Sequence, residues 1–356
     1  MNSIGLIDLQ INGFAGIDFN SGALTPDELD HALEAVLRTG VTTILPTLIT
    51  AMPGELEQRF DALDRAVRTS RLGPLMCPGY HLEGPFLNPA DGFRGCHPPE
   101  AMTAADPALV EYLAARLSRP IIMVTCAPEM TGGMAFVRAM KKAGRIVAIG
   151  HSSASFADVT AAADAGLCMS THLGNGIGAN GHKFNNPIMA QLAEDRLWAG
   201  IIADGIHVPP SVVKVLVRAR GLGRSVLVTD AVSAAAVPSG LYPFAGMRIE
   251  KTADGTVRVP NAANLAGSSL CLDEAIRNVM AWGVCSFSEA LQMAANNPAR
   301  LLAEHGVPVM LGSIEWSDDL QVRSVRLETA CHTSSRMERI FHGCGSLGRN
   351  LPAKAE

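Results

Sequence analysis

The stretch YHLEGPFLNPADGFRGCHPPEAM occupies residues 80–102. Its short apolar run ends in a histidine and a glutamate, His81 and Glu83, and the loop that follows carries a second histidine, His97. The Gly-Pro pair after Glu83 is typical of a strand that ends in a loop. A carboxylate and two imidazoles at such a junction indicate a functional site if neighbouring strands end in similar residues.

Seven more segments of this chain are rich in β-branched and aliphatic residues, and most are separated by stretches with helical spacing, such as residues 26–38, 53–67, 155–166 and 209–219. Strands that alternate with helices indicate parallel βαβ units. The eight predicted strands are residues 5–11, 42–49, 78–85, 121–128, 146–152, 169–175, 198–204 and 225–231.

Eight such strands by residue 231 predict an α/β fold, a (β/α)8 TIM-like barrel, which typically takes about 250 residues. An open doubly wound sheet is the alternative, but no GxGxxG motif follows a strand here. We therefore assign residues 1–239 to the barrel with its strands 1–8, and residues 263–305 to its C-terminal helices.

The remaining segments predict a truncated small β-sandwich domain. Residues 240–262 are typical of a β-hairpin around an Asp-Gly turn, either an insertion or a sandwich remnant. Residues 306–328 hold the other remnant strands. Residues 329–356 are rich in Ser, Gly and Cys and are predicted to be a disordered tail.

Composition excludes several classes of partner. With 356 residues and 48% hydrophobic content, the chain can bury a large core, and a net charge of -5 gives no attraction for nucleic acid or an anionic membrane. No apolar run reaches the roughly 18–20 residues of a membrane span. The eight cysteines are scattered without a CxxC pair, which favours reduced thiols in the cytoplasm.

Polar residues cluster at the C-terminal ends of the predicted strands, where barrel active sites lie. They are Gln10 and Asn12 (strand 1), His81 and Glu83 (strand 3), His151 (strand 5), His172 and Asn175 (strand 6), Asp204 and His207 (after strand 7), and Asp230 (strand 8). Core packing does not explain His, Glu and Asp at the ends of four strands.

Three of these residues, Glu83, His151 and His172, offer one carboxylate and two imidazoles to a single metal ion. Three protein ligands and a water form the open arrangement of catalytic zinc, which lowers the pKa of that water towards about 7. Asp230 could accept its proton and return it to a leaving amine. The set predicts amide hydrolysis with one divalent ion; Zn is favoured, and Fe, Co or Mn also suit these ligands.

Eight motifs stand in an order that resembles the N-acetylglucosamine-6-phosphate deacetylase family of the amidohydrolase superfamily. They are DLQINGFAG (8–16), HLEGPF (81–86), GCHPPE (95–100), IGHS (149–152), STHLGN (170–175), ADGIH (203–207), TDA (229–231) and LAGSSL (265–270). Any one motif is weak, but the likeness extends over roughly residues 5–305.

The resemblance implies a role for each site residue. Glu83, His151 and His172 match the metal ligands, Asp230 the catalytic acid/base, and His97 the histidine that polarises the acetyl carbonyl. The residues that match substrate contacts are Asn175, Gly176 and His207, and Gln10 and Asn12 are expected to line the site. Gln10 and Asn12 stand where many amidohydrolases have HxH, so we expect one metal ion.

Two departures from the family pattern bear on the substrate and the fold. The family arginine that reaches the substrate phosphate across a homodimer has no counterpart in residues 176–189, so His182 or Lys183 is the candidate phosphate contact. The substrate is then N-acetylglucosamine 6-phosphate, an unphosphorylated acetamido sugar or an N-acyl amino acid. The family also begins with about 50 more residues, so the sandwich is truncated or the native start lies upstream.

Simpler interpretations stay open for single residues. Asp230 could cap a helix, His97 and His207 could be solvated loop histidines, and Cys331, His332, His342 and Cys344 could bind zinc, although their spacing fits no finger pattern. A non-catalytic metal- or sugar-binding protein of the same fold is the alternative from another class. The complete set of acid, base and ligand positions favours a hydrolase.

Overall fold

The computed structural model describes residues 1–309, 312–327 and 339–342 of the protein. Eight strands pair in parallel, each with the next along the chain. These strands are β1 (Leu6–Ile11), β2 (Val41–Ile49), β3 (Tyr80–Glu83), β4 (Ile121–Cys126), β5 (Ile146–Ile149), β6 (Met169–Ser170), β7 (Trp198–Ile201) and β8 (Ser225–Leu227). The predicted barrel fold is confirmed.

The barrel closes through the residues that follow β1 and β8. Ile11 and Ala231 form a parallel bridge. The Asn12 N–H donates to the Ala231 carbonyl at 2.7 Å, and the Asp230 N–H donates to the Gln10 carbonyl at 2.9 Å. The eighth strand therefore returns to the first at the edge where the strands end, and this edge forms a ring.

A helix follows each barrel strand. The helices are α1 (Pro26–Arg38), α2 (Pro53–Thr69), α3 (Pro107–Ala114), α4 (Gly133–Lys142), α5 (Phe156–Ala165), α6 (Pro187–Leu192), α7 (Pro210–Arg220) and α8 (Leu272–Ala281). Helices Phe287–Leu291 and Asn297–Glu304 come after α8.

Helix α1 shows how local sequence sets these boundaries. The Thr25 side chain accepts from the Glu28 N–H while the Glu28 carboxylate accepts from the Thr25 N–H, and Pro26 occupies the first turn. The side chains of Leu29 and Leu33 are buried on one face, because positions four apart in a helix point the same way. A polar cap and an apolar stripe together produce the helix.

No helix within the described residues is both long enough and apolar enough to cross a lipid bilayer.

The sixth strand is shorter than predicted. The sequence predicts residues 169–175 as extended, but β6 ends at Ser170 and residues 171–174 form a turn. His172 lies in this turn with a positive φ of 27°, which is incompatible with a strand. The turn brings the imidazole to the open end of the barrel.

The predicted hairpin is a three-stranded antiparallel sheet, Gly240–Phe244, Met247–Lys251 and Val257–Arg258. Its first turn is at Ala245 and Gly246, both with positive φ, and not at Asp254-Gly255, which joins the second and third strands. The predicted hairpin around Asp254-Gly255 is therefore present, and the turn at Ala245 and Gly246 adds a further strand to it. Phe244 and Ile249 pack with Val232 beside the barrel mouth.

A second antiparallel sheet joins the two ends of the described chain. Its strands pair in the order Asn2–Ile4, Ser313–Trp316, Val322–Leu327 and Arg339–His342. Of the predicted tail, residues 329–356, only 339–342 are described, and they form a strand; Cys331, His332 and Cys344 lie outside the described residues. The division of the chain into barrel and sandwich remnants stays a prediction.

Trp316 anchors this second sheet to the barrel layer. Its side chain is buried, its ring meets the Phe287 ring edge-on with 5.4 Å between centroids, and its Nε1–H donates to Ser3 Oγ at 2.7 Å. Truncation would remove an aromatic core contact and leave a cavity.

We predict that Trp316→Ala lowers the free energy of unfolding by about 3–5 kcal/mol in urea titrations followed by circular dichroism. Leu241→Ala is the matched control, because Leu241 is 52% exposed and its loss should change stability by less than about 0.5 kcal/mol. Equal effects of the two substitutions would show that Trp316 does not anchor the sheet.

Candidate metal centre and active site

Glu83, at the end of β3, lies between two imidazoles. Its Oε1 is 2.9 Å from His172 Nε2 and 3.4 Å from His151 Nε2. The two rings meet edge-on with 4.9 Å between centroids, and all three side chains are buried. The structure thus brings together, from three strands, the residues predicted as metal ligands.

His97 joins the same cluster from the loop after β3. One ligand atom each of Glu83, His97 and His151 lies within 4.8 Å of the other two, and the rings of His97 and His151 are 4.5 Å apart. His97 Nδ1 is 2.9 Å from the Thr50 hydroxyl. His97 therefore lies where it could ligate a metal ion or polarise a carbonyl beside one.

A backbone carbonyl determines the tautomer of His151. Its Nδ1 is 2.7 Å from the carbonyl oxygen of Phe93, which can only accept, so Nδ1 carries the proton. Nε2 then faces Glu83, where it can donate to the carboxylate or, without its proton, bind a metal ion through its lone pair. Phe93 lies in the loop that also carries His97, so this loop orients two imidazoles.

The electrostatics of the cluster suit a cation. Burial raises the pKa of Glu83, but the hydrogen bonds with His151 and His172 outweigh burial and hold that pKa well below its ordinary value. Burial lowers the pKa of His97 to about 3, so its imidazole is neutral. A buried carboxylate with imidazoles around it is a donor set that fits a divalent metal ion.

Three candidate site residues adopt a left-handed backbone, with φ of 51° at His151, 27° at His172 and 50° at Asp230. This region is costly for residues other than glycine, and such strain persists where surrounding contacts impose it. The main-chain carbonyls of these residues accept from the N–H groups of Asn88, Asn175 and Ser268, at 3.0, 3.0 and 2.9 Å. The chain thus turns inward just where each strand ends.

Asp230 faces this cluster from the end of β8. Its Oδ1 accepts from Asn12 Nδ2 at 2.7 Å and from Gln10 Nε2 at 3.2 Å. Burial and the nearby charge of Glu83 raise the pKa of Asp230 to about 6. A carboxyl group with this pKa can both accept and donate a proton near neutral pH.

The cluster forms one wall of a cavity of about 220 Å³. Asn12, Asn175, Gly176 and His207, all predicted to contact substrate, also line it. The imidazole of His207 is oriented by Asp204, whose Oδ2 is 2.6 Å from Nδ1.

Three other predicted substrate residues do not line this cavity within the described chain. Gln10 is buried beneath it, against Asp230. His182 and Lys183 are exposed on the loop after β6, and His182 Nδ1 accepts from the N–H groups of Phe184 and Asn185. Their roles in binding substrate stay predictions.

Several lining residues had no assigned role in the sequence. Cys96 lines the cavity next to His97, and Phe244 and Asn264 enter from the segments after β8. Leu265 and Gly267 belong to the LAGSSL motif, which alone signalled that this segment approaches the site. No sequence pattern predicted that Phe244 lines the cavity, because its position depends on how the three-stranded sheet packs against the barrel.

Comparison with known proteins agrees with this geometry. Residues 2–315 match the sequence profile of the amidohydrolase family. The chain is 36% identical over 328 residues to an N-acetylgalactosamine-6-phosphate deacetylase of Escherichia coli O157:H7, covering 92% of this chain and 83% of that protein. It is 34% identical over 318 residues to an N-acetylglucosamine-6-phosphate deacetylase of Caenorhabditis elegans, covering 84% and 73%.

A solved structure resembles the fold over most of its length. It is a mutant N-acetyl-D-glucosamine-6-phosphate deacetylase of Mycobacterium smegmatis in complex with N-acetyl-D-glucosamine-6-phosphate, with a TM-score of 0.81 and 30% sequence identity. The match covers 91% of this chain and 84% of that chain.

We predict that Glu83→Gln, which keeps the side-chain shape and removes the charge, lowers the bound metal to less than about a tenth of the wild-type content. Inductively coupled plasma mass spectrometry of the purified proteins measures this content. His182→Ala, on the exposed loop, is the control and should keep the wild-type value. Full metal content in Glu83→Gln would show that Glu83 is not a ligand.

Proposed function

Because the chain belongs to the amidohydrolase family, we propose that it removes the acetyl group of an N-acetylated amino sugar. N-acetylglucosamine 6-phosphate is the first candidate substrate, with glucosamine 6-phosphate and acetate as products. The observation that carries this proposal is one cavity that is lined by Glu83, four histidines and Asp230. The names of the relatives support amino-sugar 6-phosphates as the substrate class.

Glu83, His151 and His172 are the proposed ligands of one divalent cation, with His97 close enough to contact it or the substrate. We propose zinc, because two imidazoles and a carboxylate are a common catalytic zinc set, although Fe, Co and Mn accept the same donors. When bound, such a cation supplies Lewis-acid activation of water and of the amide carbonyl.

The side chains of this site can carry the proton transfers of amide hydrolysis. Asp230 accepts a proton from the attacking water, which adds its oxygen to the carbonyl carbon. His97 stabilises the negative charge that develops on the carbonyl oxygen. Asp230 then donates the proton to the nitrogen as the carbon–nitrogen bond breaks, so acetate and a free amine leave.

The other lining residues would bind the sugar. Asn175 and Gly176 present amide groups at the end of β6, and His207 presents an imidazole held by Asp204. These groups suit hydroxyl and phosphate oxygens. Both gluco and galacto configurations occur among the names of the relatives, so the epimer is a further test.

A second candidate substrate is an unphosphorylated acetamido sugar. None of the described residues that line the cavity is lysine or arginine, whereas the lining includes the carboxylates of Glu83 and Asp230. A phosphate dianion is usually bound by at least one such cation. This observation favours a neutral sugar unless a second chain supplies the cation, as the family resemblance implies for a homodimer.

The remaining partner and location assignments are proposals. A homodimer follows from the resemblance alone. The six cysteines within the described residues are free thiols, which suits a reducing compartment such as the cytoplasm. The small-molecule substrate is the partner that the cavity supports.

We predict that Asp230→Asn lowers kcat by about 10²–10⁴-fold, because the amide can neither accept nor return the proton. Release of acetate from N-acetylglucosamine 6-phosphate measures the rate, and metal content is measured in parallel. Bound metal should stay at the wild-type level, since Asp230 is not a proposed ligand. Undiminished turnover in this variant would refute the proposed acid/base role.

We predict that the wild-type protein has at least a tenfold higher kcat/KM for N-acetylglucosamine 6-phosphate than for N-acetylglucosamine. A charge-assisted contact to phosphate contributes about 1.5–3 kcal/mol, which corresponds to a factor of ten or more. The galacto epimers are measured alongside. Equal values for the phosphorylated and unphosphorylated sugars would exclude phosphate recognition and support the second candidate.

A further inference from the structure

Two side chains that line the cavity, Asn12 and His172, each have a buried polar atom without a hydrogen-bond partner among the described residues. Asn12 lies just beyond β1, is 1% exposed and lines the cavity. Its Nδ2 donates to Asp230 Oδ1 at 2.7 Å. Its Oδ1 is buried and has no hydrogen-bond partner among the described residues.

The orientation of this amide follows from its neighbour. An ionised carboxylate only accepts hydrogen bonds, so the NH₂ group of Asn12 must face Asp230. The group left over is therefore an acceptor. A buried amide oxygen without a partner costs about 1–3 kcal/mol, so an oxygen kept in this state at a cavity wall indicates a donor on the ligand.

The proposed substrate has one hydrogen-bond donor that would lie close to Asp230, the proposed proton donor of the site. A secondary acetamide carries a single N–H, on the same nitrogen that must receive a proton from Asp230. Asn12 Nδ2 contacts Asp230 directly, so the Asn12 amide lies next to the carboxylate that must protonate the nitrogen. The N–H group and Oδ1 are complementary, one donor to one acceptor.

We propose that Asn12 Oδ1 accepts a hydrogen bond from the N–H of the scissile amide and turns the lone pair of that nitrogen towards Asp230. This inference rests on the proposed deacetylation. As the carbon–nitrogen bond breaks, the nitrogen keeps its own hydrogen on Asn12 and gains the proton of Asp230. Asn12 then favours amides over esters, because an ester oxygen has no hydrogen to donate.

A purely structural role of Asn12 would give a different result. Gln10 also donates to Asp230 Oδ1, at 3.2 Å, but it does not line the cavity within the described chain. Loss of Gln10 disturbs only the support of Asp230, whereas loss of Asn12 disturbs this support and the amide contact together. Gln10→Leu is therefore the matched control for Asn12→Leu.

The test compares two substrates, the 2-acetamido sugar 6-phosphate and the same sugar phosphate with a 2-O-acetyl group. Both have an alkyl leaving group that needs a proton. We expect Asn12→Leu to lower kcat/KM for the amide about 10- to 100-fold more than for the ester. Gln10→Leu should lower both values by the same factor. Equal losses for amide and ester in Asn12→Leu would overturn the proposal.

A binding measurement and a second pair of variants test the same proposal independently of the turnover rates. The ester is also tested as a competitive inhibitor, and Asn12→Leu should weaken binding of the amide without weakening that of the ester. If Asn12→Leu fails to fold, Asn12→Ser, which keeps an acceptor oxygen, should retain more amide selectivity than Asn12→Ala. Absence of amide turnover in the wild-type protein would instead refute the proposed function itself.

Discussion

A single carboxylate oxygen of Glu83 lies within 3.4 Å of imidazole nitrogens from two other strands. A buried carboxylate is stable only with such partners, and a cation between them would neutralise the charge most completely. The ring of strand ends exists because β1 and β8 meet through Ile11 and Ala231. Without this closure Asp230 would not face Glu83, so the geometry of the site depends on the contact between the first and the eighth strand.

The backbone is strained at the residues whose side chains point into the site. His151, His172 and Asp230 share a left-handed conformation, and each follows a strand of small or aliphatic residues. Neighbouring loops impose this conformation with main-chain hydrogen bonds, and Phe93 and Asn88 couple the His97 loop to His151. The strained turns at these three residues thus lie at the C-terminal ends of the strands, where the active sites of barrel enzymes are found.

In the proposed mechanism, Asp230 transfers the proton and its neighbour Asn12 orients the substrate. Asp230 is held through a single oxygen by two amides from β1 and the residue just after it, the segment where many amidohydrolases are expected to have two histidines for a second metal ion. Amides in this place are poorer metal ligands than imidazoles, and in the proposed mechanism they provide neutral hydrogen-bonding groups near the leaving nitrogen. Gln10 and Asn12 therefore account for the hydrogen bonds that hold Asp230, and they fit the proposal of one metal ion.

The sequence by itself determined the strands, most helix boundaries and the polar residues at the strand ends. Hydrophobic periodicity, helix-capping residues and the Gly and Pro residues that end elements all act over a few residues. The residues at the strand ends also predicted the metal ligands, and the resemblance of ordered motifs added the roles of His97, Asn175 and His207. Only the tertiary structure decided that His97 joins Glu83, that a third strand precedes the predicted hairpin, and that His182 stays outside the cavity. Asn12 and Asp230 are 218 residues apart, and their contact arises from barrel closure, which no local pattern encodes.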